Sequence, residues 1–470
     1  MKKTLSLLFI FVTLAVFVYF YEYKGGQERE KADEIRASLL KLVEDDIESV
    51  TLSGGEDNDT ITYLREDPDN WRIVSPVMTE AEISAVKGNI SAFMNAKISR
   101  RLAVRKEKLQ DFGLNPPAAR VTIKTKENKS IELIVGDEAP TRGGLFVSVG
   151  EATLSATQPD TVEVFVTGTN VLSQARKSLF DLRDKKIAHF DNDKVRKVEL
   201  TSPEGGVTLE KSGDKWVMLL PVAARVDDSR VKSFLTSTTN YSAKEFVSER
   251  LEDRKTYGFD HPTVELILSL GDERSTKEIV IGDEGENDKE FYGYESGRSP
   301  VFLIREPTKK GLSKAPFYFQ DKKIIRFREE EISRIRFSGS HQVTLTKEDT
   351  LGWYAYGDST VEVEKSQIDG LFSRLRGLGA KEIVSYSPRD LATYGLSEKP
   401  YAGVPHLEAV LADSAGDVAG FAVGDTVEND RYIKSRDYPF IYLISGSQVE
   451  RLTDWLEEQT STVSLSQKKN

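Results

Sequence analysis

Four landmarks recur in the same order three times along this chain, and that repetition constrains the fold more than any single motif. A tryptophan strand returns as "NWRIVSP", "KWVMLLP" and "GWYAYGD", placing Trp71, Trp216 and Trp353 at intervals of 145 and then 137 residues. "AKIS", "AKEFV" and "AKEIV" follow, from Ala96, Ala243 and Ala380. Next come "KLQDFGLNPP", "DRKTYGFDHP" and "DLATYGLSEKP", each with an aromatic residue before Gly113, Gly258 or Gly395 and a proline after it. "IVGDE", "VIGDE" and "AVGDT" complete the set at Gly136, Gly282 and Gly424. Ordered self-similarity at this period marks tandem units, which begin near Asp46, Asp193 and Glu330. The 470 residues then divide into three copies of ordinary domain size, roughly 100–200 residues each.

Within a copy the pattern is α+β. "DIESVTL", "KVRKVEL" and "EISRIRF" alternate so that Ile47, Val50 and Leu52 correspond to Val195, Val198 and Leu200, then to Ile332, Ile335 and Phe337. Such alternation gives each strand one buried face. The strand that follows and the tryptophan strand lie across polar turns, which makes an antiparallel meander with the indole as a core plug. "TEAEISAVKGNISAFMNA" spaces Ile83, Val86, Ile90 and Phe93 as a sheet-covering helix, and "DDSRVKSFLTST" starts its counterpart at Asp227 or Asp228 with Ser229. The second half carries "ARVTIKT", "SIELIVGD", "GLFVSVG" and "VEVFVTG" as closely spaced antiparallel strands. "NVLSQARKSLFDL", "KKGLSKAPFYF" and "SQVERLTDWLEE" read as one closing helix per copy.

The expected organisation is a cytoplasmic tail and transmembrane anchor at 1–23, a charged helical or flexible stalk at 24–45, repeat units at 46–190, 191–327 and 328–460, and a polar tail at 461–470. Together the units form an elongated ectodomain with neighbour contacts at each handover. The anchor rests on Lys2 and Lys3 followed by an uncharged run from Thr4 to Tyr21, long enough to cross roughly 27 Å of hydrocarbon as a helix. Tyr19, Phe20, Tyr21 and Tyr23 supply an interfacial belt. A cleaved signal peptide is the competing reading. The run exceeds the usual ~7–15 apolar residues of such a peptide, and bulky aromatics stand where small residues would be needed for cleavage. The short basic tail places the N-terminus inside and the remainder outside the cytoplasm, although Lys24, Arg29 and Lys31 weaken that bias.

Composition removes several functions. Net charge is −11 and the isoelectric point is about 5.3, so the chain repels phosphate backbones, and nucleic acid is not an expected partner. The absence of cysteine excludes disulfides, thiolate metal sites and a cysteine nucleophile. His189, His261, His341 and His406 are scattered and non-equivalent between copies, so no metal site is expected. Neither a G-x-S-x-G elbow nor a P-loop is present. No catalytic or cofactor-binding residues are assigned.

Three features compete as sites. The pairs Gly136-Asp137, Gly282-Asp283 and Gly424-Asp425 could present carboxylates to cations or sugar hydroxyls, but glycine at positive φ with an aspartate bonding nearby amides makes ordinary strand exits, the preferred reading. Asp57, Asn58 and Asp59 resemble half a calcium loop without its glycine and distal glutamate, and read better as a hairpin tip. Phe112-Gly113, Tyr257-Gly258 and Tyr394-Gly395 could stack on sugars or wedge a loop into the core, and the core is preferred.

"SLFDLRDKKIAHF" has the density of charge of an acid/base or phosphate site, yet it returns as "APFYFQDKKIIRF" with Phe180, Asp184, Lys185, Lys186, Ile187 and Phe190 matching Phe317, Asp321, Lys322, Lys323, Ile324 and Phe327. The third copy runs through "SQVERLTDWLEEQ" with no Asp-Lys-Lys after it. The motif therefore stands where one copy hands over to the next. Phe180 and Phe190 are expected to insert into neighbouring cores, with Asp184, Lys185 and Lys186 fixing an exposed turn that serves as a hinge.

"LFDLRDKKIAHFDNDKVRKVEL", "DFGLNPPAARVTI" and "IELIVGDEAPTRGGLFVSV" resemble the Asp-Lys-Lys/Arg junction, the Gly-Leu-x-x-Pro turn and the Val-Gly strand end of the bacterial domain-of-unknown-function family numbered four-three-four-zero. The third copy departs by having Thr426 after Asp425 and no Asp-Lys-Lys. The resemblance brings no catalytic residues. It implies a single-pass, N-terminally anchored protein of the bacterial inner membrane with a periplasmic or extracellular ectodomain, encoded beside ABC-type permeases and gliding-motility-like auxiliary proteins. The leading expectation is a non-enzymatic accessory or scaffold subunit of such a transport complex. Its alternatives are a sensing or binding protein for envelope polysaccharide or peptide, and an envelope hydrolase using dispersed carboxylates.

Overall fold

The computed structural model describes residues 38–40, 42–54, 60–140, 143–151, 160–271, 275–348, 352–356, 360–396 and 407–467. The expected anchor, the Asp57–Asp59 tip and His406 lie outside these. Among the described residues no helix is long and apolar enough to cross a membrane. By contact, the chain forms two compact units, Met1–Lys186 with Ser242–Arg250, and Ile187–Tyr241 with Leu251–Asn470.

The tandem units are three antiparallel sheets of nine strands with few helices. In the first copy the strands are β1 (Ile47–Ser53), β2 (Thr60–Arg65), β3 (Trp71–Ser75), β4 (Thr79–Glu80), β5 (Arg100–Arg105), β6 (Ala119–Thr125), β7 (Ser130–Glu138), β8 (Gly144–Glu151) and β9 (Thr161–Gly168). Their order across the sheet is β4-β3-β2-β1-β6-β7-β8-β9-β5. Two meanders thus join through β1 and β6, and the helix Ile83–Met94 carries the chain from one edge to the other. The same order holds for Val195–Ser202, Gly205–Ser212, Lys215–Leu220, Ala224–Arg225, Glu245–Ser248, Val264–Leu270, Ser275–Glu284, Glu290–Glu295 and Val301–Arg305. It holds again for Arg334–Gly339, Val343–Glu348, Gly352–Tyr356, Thr360–Val363, Glu382–Ser385, Leu407–Ala412, Asp417–Val427, Asp430–Ser435 and Ile441–Ser445.

The apolar pattern accounts for the core. Ile47, Val50 and Leu52, and their equivalents in the other copies, are all buried. The irregular spacing of Ile47 and Val50 reflects a bulge between Ile47 and Ser49, repeated between Val195 and Lys197, because one extra residue shifts the phase of alternation. Trp71, Trp216 and Trp353 are buried as plugs. Val86, Ile90 and Phe93 press the covering helix onto the sheet. Buried Asn89 on that helix accepts from the Tyr63 hydroxyl at 2.7 Å and donates to the Gln174 carbonyl at 2.8 Å. Asp227 caps the second such helix by accepting from the Ser229 amide.

Several expectations need correcting. The closing helix is broken in the first two copies, as Asn170–Ala175 plus Leu179–Leu182 and as Glu306–Leu312 plus Pro316–Phe319. A capping box on Ser178 restarts the first, and Pro316 at the start of the second piece holds Ala315 extended. With neither device, the third copy forms one helix, Gly446–Gln467, which runs past the boundary drawn at 460. At the other end, Leu39 and Leu40 of the supposed stalk are buried in the first core. "AKIS" and its counterparts lead into the edge strands Arg100–Arg105, Glu245–Ser248 and Glu382–Ser385, which add a ninth strand to each sheet.

The Gly-Asp pairs are not strand exits. Gly136, Gly282 and Gly424 lie inside long strands, beside bulges between Val135 and Glu138, Ile281 and Glu284, and Val423 and Thr426. A Cβ on any of them would fall far inside contact distance of the carbonyl oxygen of Phe112, Tyr257 or Tyr394. Conversely Gly113, Gly258 and Gly395 take left-handed φ of 64°, 71° and 68°, and a Cβ there would strike the carboxylate of Asp137, Asp283 or Asp425. The two sequence motifs are therefore one interlock, in which a short turn is pressed onto a bulged strand. Phe112, Tyr257 and Tyr394 each pack edge-on against a ring of the neighbouring strand, Phe146, Tyr292 or Tyr432, at 4.9, 5.0 and 5.2 Å between centroids. These aromatics belong to the packing of the fold. Gly136→Ala is expected to lower the unfolding free energy by about 1–3 kcal/mol through overpacking. Gly88→Ala, at an exposed helical position with nothing within 4 Å of the new Cβ, should raise it by up to ~1 kcal/mol. Urea unfolding of the two variants checks the contrast.

Candidate functional site

The Asp-Lys-Lys segment is extended chain bonded on both flanks. In the first unit, Leu182 C=O accepts from Glu82 N–H at 2.8 Å and Asp184 N–H donates to Glu80 C=O at 2.9 Å, while Lys185 C=O accepts from Ala243 N–H at 2.7 Å. In the second unit, Phe319 C=O accepts from Asp227 N–H at 2.9 Å and Asp321 N–H donates to Arg225 C=O at 3.0 Å. On its other flank Lys322 C=O accepts from Ala380 N–H at 2.7 Å and Ile324 N–H donates to Leu378 C=O at 3.1 Å. The segment acts as a strap, covering the short edge strand of its own copy and pairing with the chain just before the next copy's outer strand. Leu39 N–H donates to Ala96 C=O at 3.0 Å, so residues before the first copy also pair with the chain ahead of its outer strand, in a register two residues away from the later copies, and Leu39 and Leu40 are buried as Ile324 and Ile325 are.

This geometry replaces the hinge. Asp184 is buried, and its Oδ1 accepts from Lys186 N–H at 3.0 Å, as Asp321 does from Lys323 N–H at 3.2 Å. The aspartate shapes a turn inside the strap and is not exposed. Phe180 and Phe190 are only half-buried, and the apolar anchors are Leu182 and Phe319, both fully buried.

Between anchor and aspartate lies a polar residue that sequence reasoning passed over. Arg183 is 2% exposed, forms a fork with Glu249 at 2.6 and 3.0 Å and stacks 3.7 Å above the Phe246 ring. Its counterpart Gln320, also buried, donates to Met218 Sδ at 3.5 Å and stands next to Tyr386, the residue equivalent to Glu249. Arg–Glu in one handover is thus exchanged for Gln–Tyr in the other. The signal in the sequence was the paired change at these positions, invisible until the copies are superposed.

Beside the second strap is a cleft of about 730 Å³ lined by Trp216, Met218, Arg225, Asp228, Asp321 and Tyr438 among others. Its carboxylates and Arg225 are engaged. Asp228 accepts from Trp216 N–H at 2.9 Å and Lys215 Nζ at 3.0 Å, Asp321 pairs with Arg326, and Arg225 pairs with Asp437 at 3.0 Å. Hydrogen bonds from Ser229 hold the Asp227 carboxyl below its ordinary range. Aromatic walls and committed charges suit binding and not proton transfer.

The histidines do not converge. His189 and His261 are exposed, and no two described histidines share a group of converging ligand atoms. His341 lines a second cavity of about 610 Å³, with Ser340 Oγ 3.0 Å from Nδ1 and Glu457 3.7 Å from Nε2. The latter distance is beyond hydrogen-bonding reach, so no aligned relay exists there. Asp137, Asp283 and Asp425 sit on separate copies, each against its own glycine. The buried carboxyl of Glu295 is pushed above its ordinary 4.5 by burial, with Lys277 at 2.8 Å pulling the other way, and it lines neither cavity.

Fold and site together define a tandem-repeat protein of three strap-joined antiparallel sheets. The family described as Domain of unknown function (DUF4340) matches residues 71–222, 216–360 and 353–467, and the chain belongs to it. The matched segments start at or beside Trp71, Trp216 and Trp353, and the first two each run through a strap into the opening strands of the following copy. No curated protein matches the chain.

Two outcomes follow. Arg183→Ala or Glu249→Ala should each lower stability by about 1.5–3 kcal/mol, the loss expected for a charged hydrogen-bonded pair. The exchange Arg183→Gln with Glu249→Tyr should recover most of that loss, as a double-mutant cycle in urea would show. For Glu295, the folded form holds its proton more tightly than the unfolded form. Its contribution is full below about 4.5 and fades as pH rises through the raised folded value. Relative to Glu295→Gln, the wild-type protein should therefore lose stability as pH rises above about 4.5; a gap that is constant or moves the other way contradicts this.

Proposed function

We propose that the protein is a non-enzymatic, single-pass envelope protein that serves as an accessory or scaffold subunit of an ABC-type transport complex, held in the bacterial inner membrane by residues 4–21 with its repeats outside the cytoplasm. The observation that carries the reading is how the charged groups are used. Arg183 with Glu249 and Arg225 with Asp437 fasten chain segments together, and the cleft's carboxylates are capped or paired. Charge committed to holding repeats suits a protein that presents surface, not one that turns over substrate. The apolar, aromatic-flanked N-terminal run supports the anchor, and the family resemblance supports the transport partner.

A second reading has one specific observation in its favour: the cleft of about 730 Å³ with Trp216 and Tyr438 in its walls is of ligand size and would suit an envelope glycan or peptide. Crosslinking in intact membranes, followed by mild-detergent purification and identification of co-purifying proteins, tests the leading reading. Recovery of permease or auxiliary transport subunits is expected. Recovery of none, together with thermal stabilisation of the purified protein by envelope glycans, would favour the second.

A further inference from the structure

In the first two copies the chain covers its own short edge strand. The third copy leaves that edge bare among the described residues. Register fixes the equivalence: Glu80 is opposite Arg72, Arg225 opposite Val217 and Glu362 opposite Tyr354, each one residue beyond the plug tryptophan. Glu80 and Arg225 present their carbonyls outward to the strap, and Glu82 and Asp227, two residues on, donate their amides to it. The corresponding groups in the third copy are the Glu362 carbonyl and the Glu364 amide. Among the described residues no strap bond reaches the first or leaves the second. The helix Gly446–Gln467 continues where the strap would begin, and its Trp455 and Leu456 fill the core in that region.

We infer that the edge strand Thr360–Val363 is a docking site for an extended, basic segment of a partner protein, which adds to the sheet as the straps do. The occupant's chemistry is read from the straps themselves. Each is an extended run ending in a lysine pair, Arg183-Asp184-Lys185-Lys186 or Gln320-Asp321-Lys322-Lys323. Exposed Glu362 and Glu364 border the bare edge just as Glu80 and Glu82 border the first covered one. Acidic flanks are a common guard against edge pairing. Here the first copy pairs despite the same flanks, with a strap whose Arg183, Lys185 and Lys186 offset them by overall charge and not by direct pairing, since Arg183 bonds Glu249 and Lys185 the Asp181 carbonyl; a basic strand is favoured in the same way. Main-chain bonds supply the affinity and the flanking charges the selectivity, as in strand addition generally.

The inference rests on the assembly reading above and names its surface, but it fails separately. The test uses the purified full-length chain in detergent, with a synthetic peptide of residues 178–187 as the probe. Binding is expected, together with at least tenfold slower hydrogen exchange of the Glu364 amide at saturation. The peptide with Asp184→Pro, which lacks the donor to Glu362, should not protect it. Glu362→Lys with Glu364→Lys, both exposed, should weaken binding at least tenfold with an unchanged circular dichroism spectrum. No protection at millimolar peptide, or binding that leaves Glu364 exchange unchanged, overturns the inference. Slowing that depends on protein concentration without peptide also overturns it, because the occupant is then a second copy. Loss of transport subunits from membrane crosslinks bears only on the assembly reading.

Discussion

An antiparallel sheet ends in strands whose outward amides and carbonyls need partners, and the architecture of this chain follows from how that requirement is met. Each copy's tryptophan meander finishes in a strand of two to four residues, too short to persist unsupported. The chain returns after its second meander to cover that strand, and in doing so arrives beside the next copy. Covering an edge and starting a new unit are thus one event. Leu182 and Phe319 fix the strap to the core behind it, and Ile324 and Ile325 to the core ahead. The aspartate between them turns the chain by bonding an amide two residues on, a local device that needs no exposed charge.

The second repeated device works on the other meander. A Cβ on the glycine within the bulged strand would strike the carbonyl oxygen before the turn glycine, and a Cβ on the left-handed glycine would strike the carboxylate after the strand glycine and strain the backbone at positive φ. The interlock fixes where the strand bulges and seats an aromatic pair against the sheet. Because both devices recur with different side chains around them, their constant parts serve the fold. Arg183 with Glu249 and Gln320 beside Tyr386 show the same joint built from a charged fork and from a neutral pair.

Much of this was legible in the sequence. The landmarks at Trp71, Ala96, Gly113 and Gly136 delivered the copies, and the alternation around Val50 and Leu52 delivered the opening strands. What stayed hidden was carried by backbone or by proximity. Strap hydrogen bonds involve amides and carbonyls that every residue has, so "RDKK" reads as solvated charge although Arg183 and Asp184 are buried. A glycine required by close approach of a carbonyl, as at Gly136, looks in sequence like a turn glycine. Leu39 and Leu40 follow a charged run, and only the pairing of Leu39 with Ala96 and of Ser38 with Lys97 reveals them as the incoming segment of the first copy. The candidate site was legible as a location, the handover, but not in its role.

The most direct test of the strap is native-state hydrogen exchange resolved to single amides. The amides of Asp227, Asp321, Ile324 and Ala380 all donate across the second strap, whereas the amide of Glu364 sits at the equivalent edge with no strap beside it among the described residues. The expected result is that the four exchange together, slowly, through one opening reaction, and that Glu364 exchanges far faster. Exchange of Asp321 and Ile324 as fast as Glu364 would mean that the segment is a loose linker, and would contradict the central claim.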